Sequence, residues 1–159
     1  MKLEFLYPFF KWCDTTFLGH WVSGGTWEFP MIETIHILAL TMLYGCIVML
    51  SLRMMGVLMK GWTIANIARE VSPYLNTSIV IILVSGTLLY LSEAIKTFNN
   101  VAFWIKVEML FVALVFHFTV VRRVSKRDDV PRGEGILVGG LSLVLWLGIG
   151  CAGRAIGFV

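Results

Sequence analysis

The stretch PMIETIHILALTMLYGCIVMLSL, residues 30–52, holds one carboxylate and one imidazole and meets no cation until Arg53. A helix needs about 20 predominantly apolar residues to cross a bilayer core, and this stretch supplies them. Three more qualify. Residues of about 75–91 run up to Glu93 and Lys96, about 101–121 stop at Arg122 and Arg123, and about 135–153 stop at Arg154. Strands are poor competitors, because only a helix closes all its backbone hydrogen bonds within one apolar segment. The composition agrees. Of 159 residues 58% are hydrophobic and 14% charged, with a mean hydropathy of +0.83, whereas soluble domains run near one half and one quarter. So short a chain would still have to cover itself with polar surface. The expected fold is all-α: a four-helix transmembrane bundle forming one domain over residues 1–159, without internal repeats. The net charge of +3 is scattered and gives no footprint for nucleic acid.

Residues 1–29 break the apolar pattern with Pro8 and offer no cleavage site, so they do not read as a removable signal. Trp12, Trp21 and Trp27 with Phe5, Phe9, Phe10 and Phe17 predict a segment lying in the membrane interface, where aromatic rings prefer to sit. Gly24 and Gly25 then turn the chain, and Pro30 suits the opening of the first span. A second interfacial helix is expected over Thr63–Val71, ended by Pro73.

Loop charge sets the expected orientation. Arg53, Lys60, Arg69, Arg122, Arg123, Lys126, Arg127 and Arg132 fall on one side of the membrane. Lys2, Lys11, Lys96 and Arg154 fall on the other, which is eight against four. The positive-inside rule places both basic loops in the cytoplasm and both termini outside.

Ionisable residues inside apolar spans are costly and mark either a site or a paired interior. Glu33 and His36 lie three apart on one helix face, roughly 5 and 9 Å below the outer end of span one. Lys106 and Glu108 lie at roughly 8–11 Å in span three, while Glu93 and Arg154 close spans two and four. Two readings stand. One is a set of ion pairs, with Glu33 or Glu93 answering Lys106 or Arg154. The other is a polar pocket near the outer face. His117 lies roughly 24 Å from the outer end of its span, beside Arg53, Arg122 and Arg123. It shares a helix face with Lys106, Met109, Leu110 and Ala113.

His36 and His117 therefore differ in depth by roughly 15 Å and cannot easily share one haem within a subunit. His36 would need His20 from the amino-terminal segment, or each histidine would serve a separate site, with Lys106 and Arg154 or Arg53 and Arg122 meeting propionates. Copper is the thinner option, with His36 and Met109 as suitable ligand types. Cys13, Cys46 and Cys151 are odd in number and unclustered, and they read as packing residues rather than a disulfide framework. No P-loop, GxSxG, HExxH or CxxC is present. The glycine-rich fourth span, with Gly135, Gly139, Gly140, Gly148, Gly150 and Gly153, predicts close helix packing within the chain or between subunits.

Several runs carry a resemblance: Trp27-Glu28-Phe29-Pro30, Glu33-Thr34-Ile35-His36-Ile37-Leu38, Leu52-Arg53-Met54-Met55-Gly56 and Ser85-Gly86-Thr87-Leu88-Leu89. So do Ser92-Glu93-Ala94, Asn99-Asn100-Val101-Ala102-Phe103 before Lys106, and Ala152-Gly153-Arg154-Ala155-Ile156. Together, over roughly Trp27 to Ile156, the chain resembles a bacterial family of small four-helix inner-membrane proteins of uncharacterised function. A fainter likeness, in length and in a histidine early in a span, is to copper-resistance D-type membrane proteins and small b-type cytochromes. The resemblance implies a multi-pass protein of the bacterial inner membrane, and the loop charges give it periplasmic termini.

The expected function is a membrane redox subunit that binds haem b, interacts with quinol, or does both, and exchanges electrons with a periplasmic redox protein. His36, His117, Lys106, Arg154, Arg53 and Glu33 are its candidate cofactor-binding residues, with His36 and His117 as iron ligands. The alternatives are binding or transport of a small solute or metal, and a structural subunit of a larger membrane complex. A homo-oligomer or subunit role is expected through the fourth span.

Overall fold

The computed structural model describes residues 6–127 and 129–156; Lys2 and Phe5 lie outside them. Seven helices follow in order: α1 (Tyr7–Asp14), α2 (Phe17–Gly24), α3 (Glu28–Met54), α4 (Ile64–Ser92), α5 (Ala94–Phe98), α6 (Val101–Ser125) and α7 (Arg132–Ala155). No strand occurs among the described residues. The helices α3, α4, α6 and α7 are each long and apolar enough to cross a membrane. Their up-and-down succession gathers α1, α2, α5 and the end of α7 at one end of the bundle, the terminal end. The connections 55–63 and 126–131 lie at the other, the loop end.

Local chemistry starts these helices where it should. Thr16 caps α2 by accepting from the Gly19 amide at 3.2 Å, Thr63 caps α4 from Asn66 at 3.1 Å, and Asn100 caps α6 from Phe103 at 3.3 Å. Pro30 falls in the first turn of α3, where an amide would have no partner anyway.

Pro73 does not behave as expected. The interfacial helix expected over Thr63–Val71 and the span expected from Leu75 are one continuous helix with Pro73 inside it. An interior proline costs about 3 kcal/mol, so something must offset it. The buried residues Ile67, Ala68, Val71, Leu75, Ser78, Ile79, Ile82 and Ser85 recur at helical spacing on both sides of Pro73. They form one stripe that packs along α3. Breaking the helix at Pro73 would rotate half of that stripe out of contact, and Pro73 itself lies on the exposed face.

The core is built around α3, which lies along both α4 and α7, while α6 packs on α7. Leu43, Ile47, Leu75, Ala113 and Trp146 are almost fully enclosed. The Tyr44 hydroxyl donates to the Trp146 carbonyl oxygen at 2.7 Å. The outside of the bundle is apolar. Phe111 is 69% exposed and Leu137 74%, a surface suited to lipid and rare on soluble monomers.

The glycines of α7 are used inside the chain. A side chain on Gly135 would strike the Met54 carbonyl, and one on Gly139 would sit 2.7 Å from the Ser51 carbonyl. Gly148 lies against Met109, Gly150 against the Tyr44 hydroxyl and Gly153 against Lys106. Close approach to α3 and α6 thus accounts for most of the glycine-rich face, and no contact between subunits is needed to explain it.

The amino-terminal segment is helical and folded onto the terminal end. Phe10 is buried, with ring centroids 5.4 Å from Tyr90, 4.9 Å from Phe98 and 5.6 Å from Trp104. Trp12, Phe17, Trp21 and Trp27 remain exposed, as an interfacial girdle requires. All three cysteines are free, with Cys13 buried, Cys46 half-buried and Cys151 exposed.

Candidate functional site

A cavity of about 440 Å³ opens beneath α1 at the terminal end, between α3, α4 and α6. That is within the range of small-molecule pockets. Its walls are mostly aromatic and aliphatic, including Phe10, Tyr90, Phe103, Trp104 and Trp146, and two of its residues carry functional nitrogen: His36 and Lys106. Tyr90 and Phe103 stack face to face at 5.6 Å.

The hydrogen bonds around His36 assign its tautomer. Its Nδ1 lies 2.8 Å from the Ser85 Oγ. The same Oγ lies 2.6 Å from the Ile81 carbonyl oxygen, one turn back along α4. A hydroxyl has one proton, and a carbonyl can only accept. Ser85 therefore donates to Ile81 and accepts from His36, which places the imidazole proton on Nδ1. The lone pair is left on Nε2, in a ring that lines the cavity. Gly86 lets the ring lie there: a Cβ at that position would sit 3.2 Å from the His36 Cε1.

Lys106 supplies the opposite character. Its half-buried side chain passes Gly153, and its Nζ lies 3.5 Å from where a Cβ on that residue would be. It therefore sits beside the last turn of α7, whose unpaired carbonyls favour a cation. The expected ion pair with Glu33 or Glu93 does not form. Glu33 is exposed on α3, and Glu93 pairs with Lys96 at 3.0 Å. Sequence gives the depth of these residues but not their direction around the helix. Among the described residues, Lys106 has no carboxylate within ion-pair distance.

The remaining candidates separate. Glu108 and Arg154 are exposed and line neither cavity. Arg53 donates from Nε to the Trp62 carbonyl oxygen at 2.6 Å and so ties down the 55–63 connection. His20 is exposed on α2 and outside the cavity, so it does not face His36 across it. Met109 is also absent from the cavity walls, and its thioether packs on Gly148. His117 is buried and lines a second cavity at the loop end, which shares no residue with the first. Between them Met109, Leu110 and Ala113 face the core, as the shared helix face requires. No cluster of three or more His, Cys, Asp or Glu side chains suited to a metal ion occurs among the described residues.

Sequence reasoning missed Ser85, Gly86 and the aromatic wall. A serine and a glycine adjacent in an apolar span were the available sign of a buried polar partner on a neighbouring helix. The wall had no such sign, because it depends on α1 folding back over α5 and α6.

Four helices long and apolar enough to cross a membrane, around a terminal cavity lined by His36 and Lys106, define a multi-pass membrane protein with a largely apolar cavity. Residues 9–159 match the family described as "Family of unknown function (DUF6644)", and the chain belongs to that family. No curated protein and no solved structure matches it.

Proposed function

We propose that this protein is a quinol-binding subunit of a membrane redox system, with the quinol ring held in the cavity at the terminal end. The observation that carries the reading is that a histidine and a lysine, His36 and Lys106, line one largely apolar pocket. His36 Nε2 accepts from one quinol hydroxyl, and Lys106 Nζ donates to the other ring oxygen. Aromatic walls suit a flat ring, and stacked or edge-on contacts with such walls add to its burial. When a quinol is oxidised to the quinone, two protons and two electrons leave it. His36 takes one proton at Nε2, the second passes to water at the terminal end, and the two electrons pass to a partner redox protein on the same side.

The basic loops 53–69 and 122–132 support an orientation with that side periplasmic and the loop end cytoplasmic in a bacterial inner membrane. The same Nε2 lone pair favours a second reading, an axial bond to haem b iron. A histidine that ligates a metal characteristically donates its other N–H to an oriented acceptor, which Ser85 provides. Quinol is preferred because, among the described residues, no second His, Met or Cys lines the cavity.

Reduced-minus-oxidised spectra and titration with a short-chain ubiquinol analogue separate the two. The quinol reading predicts saturable binding without a Soret band, weakened about tenfold or more in His36→Ala. A Soret band lost in His36→Ala would establish the haem reading instead. Absence of both would leave solute binding or a structural role.

A further inference from the structure

The cavity at the loop end has a different chemistry. It encloses about 400 Å³ between α4 and α6, and Arg69, Arg122 and Lys126 stand on its rim with Asn76. Among the described residues no carboxylate lines it. Arg69 is steadied by donating from Nη2 to the Asn66 Oδ1 at 3.0 Å. Neither Arg122 nor Lys126 has a carboxylate within ion-pair distance among the described residues, whereas the neighbouring Arg127 pairs with Glu134 at 2.7 Å. Arg69 from α4 and Arg122 and Lys126 from the end of α6 thus line one cavity, so an anion entering it meets positive charge from both sides.

A second, independent observation lies beneath them. His117 is only 6% exposed, its ring lines the cavity, and its Nδ1 is buried without a hydrogen-bond partner. Buried polar nitrogens are nearly always satisfied, and an exception calls for an explanation. His117 also opens the π-helical turn His117–Val121 in α6. Such turns are uncommon and recur at functional sites. The extra residue in that turn alters the angular relation between His117 and Arg122, and both reach the same cavity.

We propose that this cavity binds a phosphate group, borne either by an acidic phospholipid headgroup or by a soluble phosphate compound. Arg122 and Lys126 supply the charge-assisted donors, and Arg69 closes the α4 side. The planar guanidinium fork of arginine matches phosphate oxygens. Leu50, Ala65, Ala68 and Leu75 give the cavity an apolar side below the cations. The position fits a headgroup, since the cations stand at the end of apolar helices where a phospholipid phosphate would lie. This inference is independent of the quinol reading, because the two cavities have no residue in common.

The test is native mass spectrometry and thermal unfolding of the full chain in a neutral detergent. The probes are phosphatidylglycerol, phosphatidylcholine and inorganic phosphate, applied to wild type, the double variant Arg122→Gln/Lys126→Gln, and Arg123→Gln as an exposed basic control outside the cavity. Retained phosphatidylglycerol with a raised Tm, reduced about tenfold or more only in the double variant, identifies the lipid source. The same pattern with inorganic phosphate identifies a soluble source. Equal binding of either probe by wild type and the double variant, or no binding of either by wild type, overturns the proposal. Because the substituted side chains are exposed, the double variant is expected to fold, and its far-UV circular dichroism checks this.

Discussion

The Ser85 hydroxyl on α4 lies 2.8 Å from the His36 Nδ1 on α3, and its own proton goes to Ile81. One small hydroxyl in an apolar span thus determines which nitrogen of a neighbouring histidine carries the proton. Ser85→Ala removes that acceptor and leaves a buried N–H unpaired, which costs about 1–3 kcal/mol. Chemical denaturation is expected to show that loss together with weaker quinol binding. Unchanged stability and binding would mean that Ser85 does not orient the ring.

Gly86 tests the same orientation sterically. A methyl at this position would crowd the His36 Cε1 at 3.2 Å, so the imidazole must swing by a few tenths of an ångström or leave its rotamer. Off-rotamer strain costs about 0.5–1.5 kcal/mol. Gly86→Ala is therefore expected to weaken quinol affinity by several-fold while lowering the unfolding midpoint only slightly.

Lys106 has no carboxylate partner to strand. Removing one member of a buried ion pair costs about 3–5 kcal/mol, and that penalty is not expected here. Lys106→Met should leave stability within about 1 kcal/mol of wild type and abolish the donor half of the quinol site. Adding Glu33→Gln or Glu93→Gln should produce no rescue. A large destabilisation repaired by either second change would establish the ion pair instead.

Two glycines of α7 make a matched pair. Gly139→Ala places a Cβ 2.7 Å from the Ser51 carbonyl, where only backbone can yield. Overpacking of this kind costs about 1–3 kcal/mol. Gly140→Ala meets nothing within 4 Å, and in a helix interior it should be neutral or stabilising by up to about 1 kcal/mol. Unfolding in a denaturant gradient separates the two. Equal effects would mean that α3 and α7 are not held by the glycine contact.

Much of the fold was legible because it rests on bulk properties. The four spans follow from long, largely apolar runs ended by Arg53, Glu93, Arg122 and Arg154, and all four helices contain the expected stretches. Pro73 was misread because propensity is local, whereas the stripe from Ile67 to Ser85 is decided by packing on α3. The site was legible in part. His36 and Lys106 stood out by the cost of placing them in lipid, and they do meet in one cavity. Helical depth placed Glu33 and Arg154 with them, but both point elsewhere, because depth carries no direction. His117 was read beside Arg53, Arg122 and Arg123; the structure keeps Arg122, leaves Arg123 exposed outside the cavity, assigns Arg53 to the Trp62 carbonyl and adds Arg69 and Lys126. Arg69 comes from the part of α4 that precedes Pro73, which the expected helix break concealed, and Lys126 follows directly on the end of α6.

The orientation is open to a simple check. In a Cys151→Ser background, Lys126→Cys should be protected from membrane-impermeant maleimide added to intact cells, and Lys96→Cys should react. The opposite pattern would place the quinol cavity on the cytoplasmic side and the phosphate cavity outside.

The most direct test of the central claim is equilibrium titration of the purified wild-type protein and His36→Ala with a short-chain ubiquinol analogue, followed by quenching of tryptophan fluorescence. Trp104 and Trp146 line the cavity and report on its occupancy. The account predicts saturable quenching in wild type and an affinity about tenfold or more lower in His36→Ala. Identical titrations for the two proteins, or no saturable quenching in wild type, would contradict it.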